Sequence, residues 1–351
     1  MALSNPSAGR DPVLIPGGVA DPDGRLGYVV GLSGAIEALD LASGRVLWTL
    51  AETSVPLVVS GQRLVTQAIV SGRPNALRLR VLDSASGKRL RESDPVVFPD
   101  WVSVSTSDAS TFGIEVRAEG DRVLVSWRAS SRYRGGAAPP PEVVNRARKD
   151  ASGVAQVDLT SGHVEMSPDE LEAPPESPEN RADRLSHPYR RGASMHSAAV
   201  VSGQRAAILE LQQDEGGSKL VLNRWNAATG RAEAPIVLSR AGDPDPQVTL
   251  DGHHVLVRER GSPEQPAVWH VYALNTGQLV SDSVAYERGA QSAAILGDRL
   301  YCMLEGTTGR REGGYLVLPR TLRGVDLHSG RRLWEHPIQG RRVSAPPPLP
   351  R

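Results

Sequence analysis

Apolar and polar residues alternate over short stretches along much of the chain. Leu77-Arg78-Leu79-Arg80-Val81-Leu82 has a period of two, and Val123-Leu124-Val125-Ser126-Trp127 has it in part. That period sends successive side chains to opposite faces of a β-strand. Val, Leu and Ile dominate these runs, and Gly, Asp, Ser and Pro bound them, as strands ended by turns require. No long stretch carries a helical period. The pattern predicts an all-β chain of short strands.

Two turn signals recur between the runs. Asp-x-x-Ser/Thr-Gly occurs at Asp40–Gly44, Asp83–Gly87, Asp158–Gly162 and Asp326–Gly330. Asn226 replaces the Asp in a copy ending at Gly230, and Ala273 does so in a copy ending at Gly277. A Gly-x-Arg turn lies between these copies, at Gly61–Arg63, Gly120–Arg122, Gly203–Arg205 and Gly297–Arg299. Gly24-Arg25 is a shortened copy, and Gly252-His253-His254 carries His in the Arg place. The Asp side chain can accept bonds from backbone N–H groups two or three residues on. Gly supplies the positive φ that closes the hairpin. Six alternating pairs of turns make the chain a repeat array.

Six paired-turn units predict four-stranded antiparallel blades set radially as a β-propeller, with six blades favoured over seven. The Gly-x-Arg turn would join strands A and B of a blade, and the Asp-x-x-Ser/Thr-Gly turn strands C and D. The pattern resembles the PQQ-like repeat family, also called quinoprotein alcohol dehydrogenase-like. Residues 24–48, complete through Trp48, carry the resemblance best, and residues 297–334 keep Asp326, Gly330 and Trp334. The resemblance implies tryptophans that dock one blade on the next. That place holds Arg91, Met166, Ala234 and Ser281 in the middle copies. One propeller domain is expected over residues 13–345, between tails at 1–12 and 346–351. The tail after Trp334 either closes the array against the N-terminal strand or begins a further blade.

Loop length divides the two faces. A–B and C–D turns lie together and are tight, whereas the expansions fall at residues 91–112, 130–150, 165–196, 258–266 and 306–320. All five belong to B–C or D–A connections, so all are expected on one face. Long connections on a rigid scaffold tend to carry function. Candidate partner-binding residues there are Arg132, Tyr133, Arg134, Arg146 and Arg148, around the proline run 139–141, and then His187, Tyr189, Arg190 and Arg191. The first group reads as a basic, proline-stiffened arm or as a solvated loop. Residues 165–180 are acidic and could pair with it.

Composition narrows the function. The chain has 351 residues with Lys+Arg 40 and Asp+Glu 40, which argues against nucleic-acid binding by bulk charge. The single cysteine, Cys302, lies in a predicted strand and reads as a small buried residue. No run has transmembrane length. No signal pattern opens the sequence, so a cytoplasmic place is expected if the chain is full length, and an extracytoplasmic one if its start is missing. The Arg- and Pro-rich composition fits a high-GC bacterium. His253-His254 reads as a substituted turn rather than a metal site, because adjacent strand residues point to opposite sides. The family's dehydrogenases imply a vicinal cysteine pair beside the quinone, which one cysteine cannot supply. Neither PQQ nor calcium is expected, and no catalytic residue is assigned. The expectation is a monomeric, non-catalytic scaffold or sensor that binds a protein partner or a ligand through the loop-rich face. The alternatives are a PQQ-dependent dehydrogenase, or a hydrolase or lyase using the central channel.

Overall fold

The alternating runs become strands that pair antiparallel in chain order. The computed structural model describes residues 11–339 except 53, 105–109, 132–148, 168–198, 203–204, 215–216, 227–228, 240–245, 260–267, 286–289, 307, 312–313 and 318. Among the described residues there are strands and turns but no helix. The first sheet holds β1 (Val13–Ile15), β2 (Gly18–Ala20), β3 (Leu26–Val30), β4 (Ile36–Asp40) and β5 (Val46–Leu50). In the second, β6 (Ser54–Ser60), β7 (Arg63–Ile69) and β8 (Ala76–Asp83) are followed by β9 (Arg89–Glu92) and β10 (Val96–Val97), both paired to β8. The third is β11 (Ser110–Glu119), β12 (Arg122–Ser131), β13 (Lys149–Asp158) and β14 (Val164–Ser167). Next come β15 (Ala199–Ser202), β16 (Arg205–Asp214), β17 (Gly217–Asn226) and β18 (Ile236–Ser239). The fifth sheet is β19 (Pro246–Val248), β20 (His254–Glu259), β21 (Val268–Ala273) and β22 (Leu279–Ala285). The sixth has β23 (Ala290–Leu296) and β24 (Arg299–Leu304), then an inserted hairpin of β25 (Thr308–Arg311) and β26 (Gly314–Val317), then β27 (Arg320–Asp326) and β28 (Arg332–Ile338).

Alternation becomes packing most plainly in β8. Leu77, Leu79 and Val81 are buried against the third sheet. Arg78 and Arg80 between them form ion pairs with Glu92, and Arg80 also with Glu52. Second strands depart from simple alternation. In β7, Leu64, Val65, Thr66, Gln67 and Ala68 are all buried, and β24 is buried from Leu300 through Met303. These strands have neighbouring sheets on both faces, so both rows of side chains leave water, as in any sheet covered twice. Cys302 is one of them, acting as a small apolar residue.

The described cores lie between successive sheets. Leu64 and Leu82 of the second sheet meet Tyr28, Ile36 and Ala38 of the first. Leu209, Leu220 and Leu222 of the fourth meet Val255 and Leu274 of the fifth, which in turn meets the sixth through Leu256, Trp269, Leu300 and Val325. The last sheet packs on the first: Tyr301, Leu322, Trp334 and Ile338 share a core with Ile15, Leu39 and Leu41. A bridge between Gly31 and Ile338 and a bond from Gln339 N–H to the Val30 carbonyl extend this seam. The described part of the segment after Trp334 packs against the N-terminal sheet.

Both repeated turns form as expected. Asp40 Oδ1 accepts the Ala42 N–H at 2.7 Å, and its carbonyl accepts the Gly44 N–H at 2.7 Å. Asp158, Asn226 and Asp326 cap their turns by accepting the N–H three residues on. Gly44, Gly87, Gly162, Gly230, Gly277 and Gly330 all have φ between 65 and 81°. One bond ties the two turn types together. The N–H of the residue after the Asp place donates to the short hairpin of its own sheet: Leu41 to Arg25, Ser84 to Gln62, Leu159 to Asp121, Leu274 to His253, and Leu327 to Asp298.

The carbonyl of that same residue often receives the preceding sheet. Trp334 Nε1–H and Tyr301 O–H donate to the Leu41 carbonyl at 3.0 and 3.3 Å. Trp48 and Tyr28 repeat the arrangement on the Ser84 carbonyl, both at 3.1 Å. The two Tyr–Trp pairs have ring centroids 5.9 Å apart in both places. Where the Trp place is substituted, other donors reach the next turn. Ser281 Oγ–H bonds the Leu327 carbonyl, and Arg91 bonds the Ser161 carbonyl. Arg224 reaches the carbonyls of Asn275 and Thr276, and Ile236 covers Gly277.

Three expectations are revised. The 91–112 expansion is not a free loop: β10 adds to the second sheet, and Phe98, Val102 and Val104 are buried. The 306–320 expansion contains the β25–β26 hairpin. The first sheet gains β1, a fifth strand that no other copy of the repeat announces.

The tight approach of Trp334 to the first turn yields a stability test. A Cβ on Gly44 would sit 2.6 Å from the Trp334 ring, whereas Gly61 faces open space. Both have positive φ, which alone costs about 1–2 kcal/mol for a side chain. Gly44→Ala should therefore lower the urea midpoint clearly more than Gly61→Ala. Equal shifts would show that the docking contact is dispensable.

Candidate functional site

The bonds from Leu41, Ser84, Leu159, Leu274 and Leu327 set both kinds of tight turn side by side in each of those sheets. Antiparallel pairing then sends the remaining connections to the opposite end of the strands. Register confirms how compact the first end is. Ser60 pairs Arg63, Glu119 pairs Arg122 and Leu296 pairs Arg299, so each hairpin has a two-residue loop. The repeated Arg of that hairpin has a structural use: Arg63 reaches forward to Asp121 in the next sheet at 2.6 Å.

The opposite end carries the connections of variable length. Those at 132–148 and 168–198 lie outside the described residues. All nine candidate partner-binding residues fall within them: Arg132, Tyr133, Arg134, Arg146, Arg148, His187, Tyr189, Arg190 and Arg191. The strands that frame them are described. β12 and β13 pair from Arg122↔Asp158 to Ser131↔Lys149, so the 132–148 connection leaves from the far end of a ten-pair ladder.

Described residues of this face add apolar and aromatic character. Leu32, Ile69 and Val97 are exposed there. Phe98 packs edge-on against Phe112 and Trp127, with centroids 4.9 and 5.1 Å away, and the half-buried Trp101 adjoins that core. Both phenylalanines of the chain are in this cluster. At the seam, His336 Nε2 lies 2.6 Å from Glu37 Oε2.

Ionisation follows the turns. Bonds from the Ser86 hydroxyl and N–H hold Asp83 below the ordinary carboxylate value, and Ser161 and Ser329 do the same to Asp158 and Asp326. Burial pushes Tyr28 up to about 12 and also raises Tyr301. Burial pushes the His254 imidazole down. His253 has its N–H on Asp251 in a turn closed by Gly252 at φ 70°. Among the described residues no group of three His, Cys, Asp or Glu side chains could hold a metal ion.

Sequence reasoning missed two features. Tyr28 and Tyr301 act as docking donors beside the tryptophans. Their signal was available, since each precedes a repeat copy that keeps its Trp. An open depression on the short-turn face is lined by Asp21, Asp23, Asp40, Asp298 and Asp326 with Arg25 and Arg299. It joins the first and last sheets, so no local pattern could reveal it. Asp21, Asp40 and Asp326 each spend one carboxylate oxygen on turn N–H groups.

No family model matches the sequence, and no curated protein does. Among solved structures, the chain is 12% identical to the computationally designed Ika8 protein, covering 95% of this chain and 89% of that one, with a TM-score of 0.33. TolB from Acinetobacter baumannii is 12% identical, with 90% of this chain and 64% of that one covered and a TM-score of 0.29. The AtxE2 isopeptidase is also 12% identical, over 95% of this chain and 53% of that one, with a TM-score of 0.46. These scores are too low to place the chain in a family.

The turn carboxylates predict an acid response. A folded-state value below the unfolded one stabilises the protein above the unfolded value, near 3.8, and that stability is lost as pH falls below it. Urea midpoints should therefore drop from pH 5 to pH 2.5. Converting Asp83, Asp158 and Asp326 together to Asn should flatten the drop, because Asn keeps the acceptor without the titration. A drop of unchanged steepness in the triple variant would locate the acid sensitivity elsewhere.

Proposed function

We propose that the chain is a six-bladed β-propeller that serves as a non-catalytic scaffold or sensor. It binds a protein partner through the face bearing the long connections. The observation that carries this reading is the segregation of connections. Tight hairpins and capped turns hold one end of the sheets together, while the connections at 98–109, 132–148, 168–198 and 260–267 leave from the other. A face whose connections hold no turn of the repeat can change its residues without disturbing the core. The propeller itself is supported by six sheets in chain order and by the packing of the sixth on the first.

The chemistry of the connections suggests the kind of partner. Arg132, Arg134, Arg146 and Arg148 flank a proline run, and Arg190 and Arg191 follow an acidic stretch. Arginine on a stiffened arm suits an acidic protein surface, with bidentate pairing to carboxylates. The exposed Leu32, Ile69 and Val97 would add apolar contact beside it.

The test compares the intact protein with variants lacking residues 135–148 or 168–190 in quantitative pull-downs. Both deletions leave every described strand in place, so melting temperatures should stay within roughly 4 °C of the parent, the shift of a 1 kcal/mol change in a large domain. The captured partner should be lost from at least one variant. Retention of the partner by both would overturn the reading. So would saturable quinone and calcium binding accompanied by dye-linked alcohol oxidation.

A further inference from the structure

The first sheet differs from the other five in carrying a strand ahead of the repeat. β1 pairs with β2 through only three residues, Val13↔Ala20, Leu14↔Val19 and Ile15↔Gly18. Pro12 and Pro16 bracket it, and neither can donate to a ladder, which limits the pairing at both ends. In every other sheet the first strand has no partner on that edge among the described residues. The β2 edge is thus a strand-accepting edge filled by the chain's own N-terminal segment.

Each residue of β1 packs on a described core. Ile15 is fully buried, and its Cδ1 lies 2.9 Å from where a Cβ on Gly27 would be. Val13 packs on the core shared by the last and first sheets, and Leu14 packs on the core of the first and second. Val13 also borders the open depression on the short-turn face. Two residues before it, Asp11 pairs with Arg117 of the third sheet at 2.9 Å, both side chains more than half exposed. The segment is held by three apolar positions, a minimal ladder and one exposed ion pair. Exposed pairs contribute little.

We propose that β1 is an internal ligand, and that the β2 edge takes an extended segment of a protein partner with the same pattern. That pattern is an acidic residue, one spacer and three apolar residues, the last of them aliphatic. The partner strand would pair with Gly18–Ala20, fill the place of Ile15 over Gly27, and set its carboxylate on Arg117. This is strand addition, with main-chain bonds supplying affinity and alternate side chains supplying specificity. The edge belongs to β2, which deletion of residues 135–148 or 168–190 leaves in place, so the two proposals fail independently.

The probe is a labelled peptide of residues 9–17, Gly-Arg-Asp-Pro-Val-Leu-Ile-Pro-Gly, titrated into the full chain by fluorescence anisotropy. Binding should be saturable and about tenfold tighter to a Val13→Asp protein, whose own β1 is weakened at a half-buried position. A peptide bearing Asp11→Arg should bind at least fivefold more weakly to the parent and recover on an Arg117→Glu protein. Hydrogen exchange on the unmodified protein keeps the test open if Val13→Asp fails to fold. Amides of residues 13–15 should exchange at least a hundredfold faster than those of β3 and β4. Equal protection of β1 and β3 would overturn the proposal, as would absence of charge-swap recovery. A dimer dispersed by the same peptide would make the occupant a second copy and overturn the foreign partner.

Discussion

One backbone position in each turn holds the described architecture together. It is the residue after the Asp of the repeated turn, represented by Leu41, Ser84, Leu159, Leu274 and Leu327. Its N–H closes on the short hairpin of its own sheet. At Leu41, Ser84 and Leu327 its carbonyl accepts a donor from the preceding sheet. All five side chains are buried. The position needs a fixed backbone direction, which the capped Asp and the positive-φ Gly supply. A net contribution of about 1 kcal/mol per bond is modest, but the N–H bond recurs in five sheets and the carbonyl bond at three junctions between sheets.

Because the acceptor is a carbonyl, the donor can vary. Trp48 and Trp334 combine a large apolar area with an N–H, and Tyr28 and Tyr301 double the bond. Ser281 and Arg91 keep a bond to the next turn with far less aromatic surface. Loss of the tryptophan therefore does not mean loss of the junction. The apolar load moves to flanking positions, such as Ile236 over Gly277 and the Phe98–Trp127 cluster between the second and third sheets. The same constraint separates rigid and variable parts of the molecule. Turn geometry is repeated on one face, and length and charge vary on the other. The proposed binding role at the variable face and the proposed strand addition at β2 would both use what the docking bonds leave free.

Much of this was legible in the sequence. Asp-x-x-Ser/Thr-Gly is a local device, its bonds spanning two to four residues, so counting its copies located six sheets. Period-two runs located strands such as β8, with Arg78 and Arg80 outward and Leu77 and Leu79 inward. Less legible were segments whose role depends on a distant neighbour. Phe98, Val102 and Val104 belong to an expansion that looks like a loop until the third sheet covers it. The nine candidate binding residues share no period or turn that would fix their place.

By itself the sequence determined the strands that flank the two turns, the turns, their shared face and the burial of Cys302, because each follows from periods and caps acting over fewer than ten residues. Tertiary structure alone decided what meets across sheets. It placed Trp334 on Gly44, Ile338 beside Gly31, β1 on the edge of β2 and Asp11 on Arg117. These contacts join residues about a hundred to three hundred positions apart, or a strand to an edge that any extended segment could fill. Local chemistry permits such contacts without selecting them. The selection comes from stacking sheets until the last one reaches the first.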